Sequence, residues 1–104
     1  MTLFTDALVC AALLMNTPVP SGEILYQDRD VPRGAAQCRD GKCLAITTNT
    51  PDLWIIVGRA KNIKWPQAVH EACHRVQFSE GQPYNERECY AVQSEARTCQ
   101  QFAP

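Results

Sequence analysis

The residues with the clearest chemical potential are His70-Glu71-Ala72-Cys73-His74, a complete H-E-x-x-H run that contains both histidines of the chain. On a helix, residues i and i+4 share a face with Cβ atoms roughly 5 to 6 Å apart, so the two imidazoles can reach one tetrahedral zinc ion. Glu71, about 100° round the helix from His70, can face a water on that ion. Zinc lowers the pKa of such a water towards about 7, and a neighbouring carboxylate can take its proton as it attacks a polarised carbonyl. The pattern therefore predicts His70 and His74 as ligands of a single Zn2+ and Glu71 as the general base. The plain alternative is a helix surface carrying two histidines and a solvated glutamate.

Two histidines leave zinc short of donors, because catalytic sites combine three protein ligands with water. Glu80, Glu86 and Glu88 are the nearby candidates. A metzincin would need Gly at position 77 and His at position 80, where Gln77 and Glu80 stand, so that class is disfavoured. Asn85 can cap a helix, with Glu86 and Glu88 in its first turn and Glu88 completing a capping box.

The run Asn85-Glu86-Arg87-Glu88-Cys89-Tyr90 resembles the N-E-x-x-small glutamate helix of the thermolysin-like gluzincins, which makes Glu86 the leading third ligand. The fuller pattern, His70-Glu71-x-x-His74-x-x-Gln77 followed by Glu86-Arg87-x-x-Tyr90-Ala91-x-Gln93, resembles a group of small uncharacterised bacterial metallopeptidases. That resemblance implies a miniature zincin in which a small sheet covers two helices. It also implies that the strand before the HExxH helix borders the cleft, so Leu53, Trp54 and Ile55 are the expected substrate edge, where an extended peptide would pair through its main chain. Tyr90, or Tyr84, is a candidate to stabilise an oxyanion, with ordinary packing as the alternative role for each.

The elements that must position these groups can be read along the chain. Residues 1–20 hold an apolar helix, with residues 7–15 too few to span a bilayer, which takes roughly 20. A structural helix is favoured over a signal segment, since the stretch has no Lys or Arg, contains Asp6 and leads into Asn16-Thr17-Pro18-Val19-Pro20. Glu23–Gln27 suits a short strand. Asp40-Gly41 signals a type I′ turn in a hairpin at 35–48, and that register faces Cys38 with Cys43, the expected cross-strand disulfide. Asn49-Thr50-Pro51-Asp52 reads as a loop, and Leu53-Trp54-Ile55-Ile56-Val57 as a buried strand. Ala68, Val69, Ala72, Cys73 and Val76 recur at helical spacing in an HExxH helix at 66–78, and a glutamate helix follows at 85–101. The expected fold is α+β, one domain over 1–104 with a zincin-like core at 21–104.

With 104 residues there is room for one modest core, and a chain of this size buries only roughly 60 to 65% of its unfolded surface, so disulfides or a metal would supplement packing. Six cysteines point to an oxidising compartment, secreted or periplasmic. With Cys38 and Cys43 paired, Cys10, Cys73, Cys89 and Cys99 allow three connectivities; one of these joins Cys73 to Cys89 across the two ligand-bearing helices. A net charge of −1 with scattered basic residues disfavours nucleic acid as a partner. The sequence thus points to a zinc metallopeptidase acting on a peptide or protein substrate. The reading from a different class is a non-catalytic interaction module stabilised by zinc or disulfides.

Overall fold

The computed structural model describes residues 2–32 and 43–102. Among them are three α-helices and a three-stranded mixed sheet, an α+β arrangement. Helix α1 spans Thr2–Leu14. Its Phe4, Ala7, Leu8 and Ala11 fall on one face and are buried. The helix ends where Asn16 takes a left-handed conformation, φ 55°. The amides of Asn16 and Thr17 then bond back to the carbonyls of Leu13 and Ala12, a Schellman closure. It stops before Pro18, on an asparagine suited to that conformation.

Strands β1 (Glu23–Gln27), β2 (Ile46–Thr50) and β3 (Leu53–Val57) assemble in the order β1–β3–β2. β1 runs parallel to β3 with Glu23 beside Leu53, and β2 runs antiparallel to β3 with Thr50 beside Leu53. The two-residue turn Pro51-Asp52 joins β2 to β3, so Asn49 and Thr50, expected in a loop, are paired strand residues. The hairpin of the described residues is therefore β2–β3. The turn predicted at Asp40-Gly41 within 35–48, and the Cys38 partner of the Cys38–Cys43 bond, lie outside the described residues.

β3 is apolar along its length because it is the central strand, with Trp54 and Ile56 turned into the core. Phe4 of α1 packs on this face, its ring centroid 5.0 Å from Tyr26 and 5.9 Å from Trp54. Helix α2 (Trp65–Ser79) makes its most extensive contacts with α1 and α3. Ala68, Val69, Ala72, Cys73 and Val76 are buried, as their spacing predicts. Arg75, also buried, sends its guanidinium to the carbonyls of Ser21 (3.0 Å), Thr50 (2.7 Å) and Pro51 (3.3 Å), fastening the β2–β3 turn to α2. A Cβ on Gly22, φ +112°, would stand 2.8 Å from that guanidinium, so the residue is glycine for both conformation and space.

Helix α3 covers Glu86–Ser94, and the chain then tightens into 3-10 turns over Ala96–Phe102. The single helix expected at 85–101 is thus interrupted at Glu95. The cause is tertiary: the indole Nε1 of Trp65 donates to the Ala96 carbonyl at 2.8 Å, and Cys99 is disulfide-bonded to Cys10 of α1. A second disulfide, Cys73–Cys89, joins α2 to α3. Two such pairs fit an oxidising compartment. No helix among the described residues is long and apolar enough to cross a membrane.

Candidate metal centre

α2 is enclosed on several sides, and this buries a polar stripe as well as an apolar one: His70, Glu71, His74 and Gln77 are each at most 5% exposed. Such groups are tolerated inside only with partners, and each has them. After α2, Gly81 adopts φ +69° and the amide of Gln82 bonds to the Gln77 carbonyl at 2.9 Å, which turns the chain back on itself. Asn85 then caps α3 by accepting the Glu88 amide at 3.1 Å, and Glu86 occupies the first helical position.

This path brings Glu86 over the histidine pair. Its Oε1 lies 2.7 Å from His70 Nε2 and 2.6 Å from His74 Nε2. One donor atom from each of the three residues falls within a 4.8 Å group that could hold a metal ion. On the far side of the rings, His70 Nδ1 lies 2.8 Å from Gln93 Oε1 and His74 Nδ1 lies 3.0 Å from Gln77 Oε1. With Nδ1 of each ring turned to an amide oxygen, both Nε2 atoms and a carboxylate oxygen converge on one point. That is an N, N, O donor set able to hold a metal ion. Partial burial pushes the Glu86 carboxyl up, but the hydrogen bonds from His70 and His74 outweigh it and hold its pKa below the ordinary value. The alternative ligands fall outside the group: Glu80 is exposed at the end of α2, and Glu88 accepts from Gln77 Nε2 at 2.8 Å. Glu88 therefore meets Gln77 where a capping box was expected.

Glu71 sits in the same cavity, of about 210 Å³, between α2 and the β2 segment. Its Oε2 accepts from Gln67 Nε2 at 2.9 Å, and the Thr47 hydroxyl also bonds to the carboxylate. Thr47 Oγ1 in turn accepts from Trp54 Nε1 at 3.1 Å, so a relay of polar groups from the central strand fixes the carboxylate. Burial pushes the Glu71 pKa up to about 7, against the opposing influence of His70, Thr47 and Gln67. Tyr84 stacks on His74 with ring centroids 4.1 Å apart, and Tyr90 meets His70 edge-on at 4.6 Å. The Tyr84 hydroxyl is pushed up to about 12 by burial and by the charge of Glu86, to which it hydrogen bonds.

One expectation about the site needs correction. Leu53, Trp54 and Ile55 do not form an edge, because β3 is hydrogen-bonded on both sides, to β1 and to β2. The strand beside the cavity is β2, with Leu44, Ala45, Ile46 and Thr47 on its wall. Gln67, Thr47, Gln77 and Gln93 were not singled out for roles by sequence; the available signal was spacing, since Gln67 and Gln77 lie four residues before Glu71 and three after His74. Comparison with protein-family models, with curated proteins and with solved structures finds no match to this chain, so its chemistry rests on the geometry above.

Proposed function

We propose that the protein is a zinc-dependent peptidase in which His70, His74 and Glu86 hold the metal and Glu71 serves as general base. The observation that carries the reading is the convergence of those three donors within 4.8 Å beside a buried carboxylate that borders the same cavity. Three protein donors and an open side are the composition of catalytic zinc sites, whereas structural sites are closed by four. α2 and α3 are already joined by Cys73–Cys89, so a metal is not required there as a staple.

When bound, zinc supplies a Lewis acid and makes water acidic near neutral pH. Glu71, on the wall of the same cavity and held by Gln67 and Thr47, is placed to accept a water proton and return it to the departing amine. The water oxygen bonds to the amide carbon, the C–N bond breaks and the proton completes the new amine. The Tyr84 hydroxyl, on the rim of the cavity, can donate to the carbonyl oxygen as charge develops there if it exchanges Glu86 for that acceptor. Tyr90, the residue expected in that role, stands on the same rim. Beside them β2 has a strand edge unpaired among the described strands, which suits an extended peptide better than the central β3.

The test combines zinc analysis with a peptide-library cleavage assay. Near-stoichiometric zinc is expected in the wild type and loss of it in His70→Ala and Glu86→Ala. Glu71→Gln is expected to keep the metal and lower turnover by roughly 10²- to 10⁴-fold. Retained function in Glu71→Gln alongside loss in His70→Ala would identify the metal as structural and the protein as a non-catalytic module.

A further inference from the structure

We propose that Gln77 is a positioning residue that holds two of the three metal-ligating side chains at once, His74 through its ring and Glu86 through the main chain just before it. Only the predicted effect on metal affinity rests on the zinc reading above. Gln77 is 1% exposed, and its amide is used in four directions. Oε1 accepts the Asn85 amide at 3.2 Å and lies 3.0 Å from His74 Nδ1. Nε2 donates to the Asn85 carbonyl at 3.0 Å and to Glu88 Oε1 at 2.8 Å.

The logic of donors and acceptors leaves one arrangement. A backbone amide can only donate and a backbone carbonyl can only accept, so the paired bonds to Asn85 fix which end of the Gln77 side chain is oxygen. The atom facing His74 is then an acceptor, and Nδ1 must carry the proton. Nε2, 2.6 Å from Glu86 Oε1, is then the ring nitrogen left to bind a cation. The same amide satisfies both main-chain groups of Asn85, the capping residue of α3 and the immediate neighbour of Glu86. One side chain therefore sets the ring tautomer of a ligand on α2 and the placement of a ligand on α3. Gln93 supports a single ligand, His70, among the described contacts. This also gives a physical reason for glutamine at a position where glycine would leave His74 and Asn85 without their partner.

The experiment compares wild type, Gln77→Leu, the exchanged pair Gln77→Glu with Glu88→Gln, and Gln93→Ala, all as full chains with disulfides intact. Zinc affinity is read by competition with a chromophoric chelator, ligand geometry by the visible spectrum of Co2+, and the α3 entry by hydrogen exchange of the Asn85 amide without metal. Gln77→Leu is expected to weaken zinc binding about 10- to 100-fold, change the cobalt spectrum and speed Asn85 exchange. The exchanged pair restores an acceptor to His74 and to the Asn85 amide but leaves the Asn85 carbonyl without its donor, and is expected to recover the cobalt spectrum and only part of the affinity lost in Gln77→Leu. Gln93→Ala is expected to weaken zinc while leaving Asn85 exchange unchanged. Wild-type affinity, spectrum and Asn85 protection in Gln77→Leu would overturn the proposal with the zinc reading intact. If the wild type takes up no zinc or cobalt, the zinc reading fails, and the Asn85 exchange rates together with the His74 Nδ1 proton resonance decide the positioning role by themselves.

Discussion

Glu71 is a carboxylate kept where a neutral side chain would be more comfortable, and replacing it with glutamine should stabilise the metal-free protein in a pH-dependent way. Burial raises its pKa from an ordinary 4.5 to about 7. A folded-state pKa above the unfolded one means that the folded protein binds the proton more tightly, so folding is favoured by low pH and disfavoured as the group ionises. The penalty is absent below pH 4.5, grows between 4.5 and 7 and is complete above 7. At about 1.4 kcal/mol per pH unit, it amounts to about 3 kcal/mol. Glutamine has the same shape and can still accept from Gln67, but it carries no charge. Urea unfolding of chelator-treated, disulfide-intact protein should therefore show Glu71→Gln equal to wild type at pH 4 and about 3 kcal/mol more stable at pH 8. Both proteins retain His70, His74 and Glu86, so contributions independent of Glu71 cancel in the difference. A stability difference that stays constant from pH 4 to pH 8 would refute the burial argument. A cation held next to Glu71 favours its ionised form, so the difference should shrink when zinc is restored.

Other consequences concern the frame around the site. Cys73→Ala with Cys89→Ala opens a bond spanning 16 residues and should cost about 3 kcal/mol in chemical denaturation, by the chain-entropy argument; unchanged stability would deny Cys73–Cys89 a stabilising role. Trp65→Phe should cost about 1 to 3 kcal/mol, because the buried Ala96 carbonyl loses its indole donor; an unshifted thermal midpoint would show that the Trp65–Ala96 bond does not hold the C-terminal turns.

The legible features were those in which one residue pattern corresponds to one local geometry. His70 and His74 lie a helical turn apart, so their shared face follows from the helix alone, and Asn85 before two glutamates marked both the start of α3 and the position of Glu86. β1 and β3 were legible from their apolar, β-branched residues. Whether β3 lay at an edge or in the centre was not, because that depends on pairing with strands remote in sequence. β2 escaped for the opposite reason: Ile46-Thr47-Thr48-Asn49-Thr50 is only partly buried and has a single partner among the described strands, and its run of threonine and asparagine reads locally as loop. The interruption after Ser94 is marked by no glycine or proline, only by the Ser94 hydroxyl bonding back to the Ala91 carbonyl at 2.6 Å. It comes from Trp65 and Cys10, which are distant in the chain. Gln77 and Gln93 stood in the resemblance pattern, but their roles, like that of Gln67, were hidden because a polar residue on a helix reads as solvated until another element is known to cover it.

Burial that disfavours the charge on Glu71, the base of the proposed mechanism, connects the size of the protein to its disulfides. A chain of 104 residues has a small margin of stability, and a buried ionisable group with a penalty of about 3 kcal/mol consumes much of what a modest core provides. Cys10–Cys99 joins the two ends of the described fold and Cys73–Cys89 joins the two helices that carry the donors. Both constrain the unfolded chain without occupying any coordinating atom of the centre. A metal used instead as the principal staple would favour a fourth protein ligand and a closed site. With covalent bonds providing that restraint, His70, His74 and Glu86 can remain three donors beside an open cavity, and a strained group such as Glu71 can be tolerated at its wall.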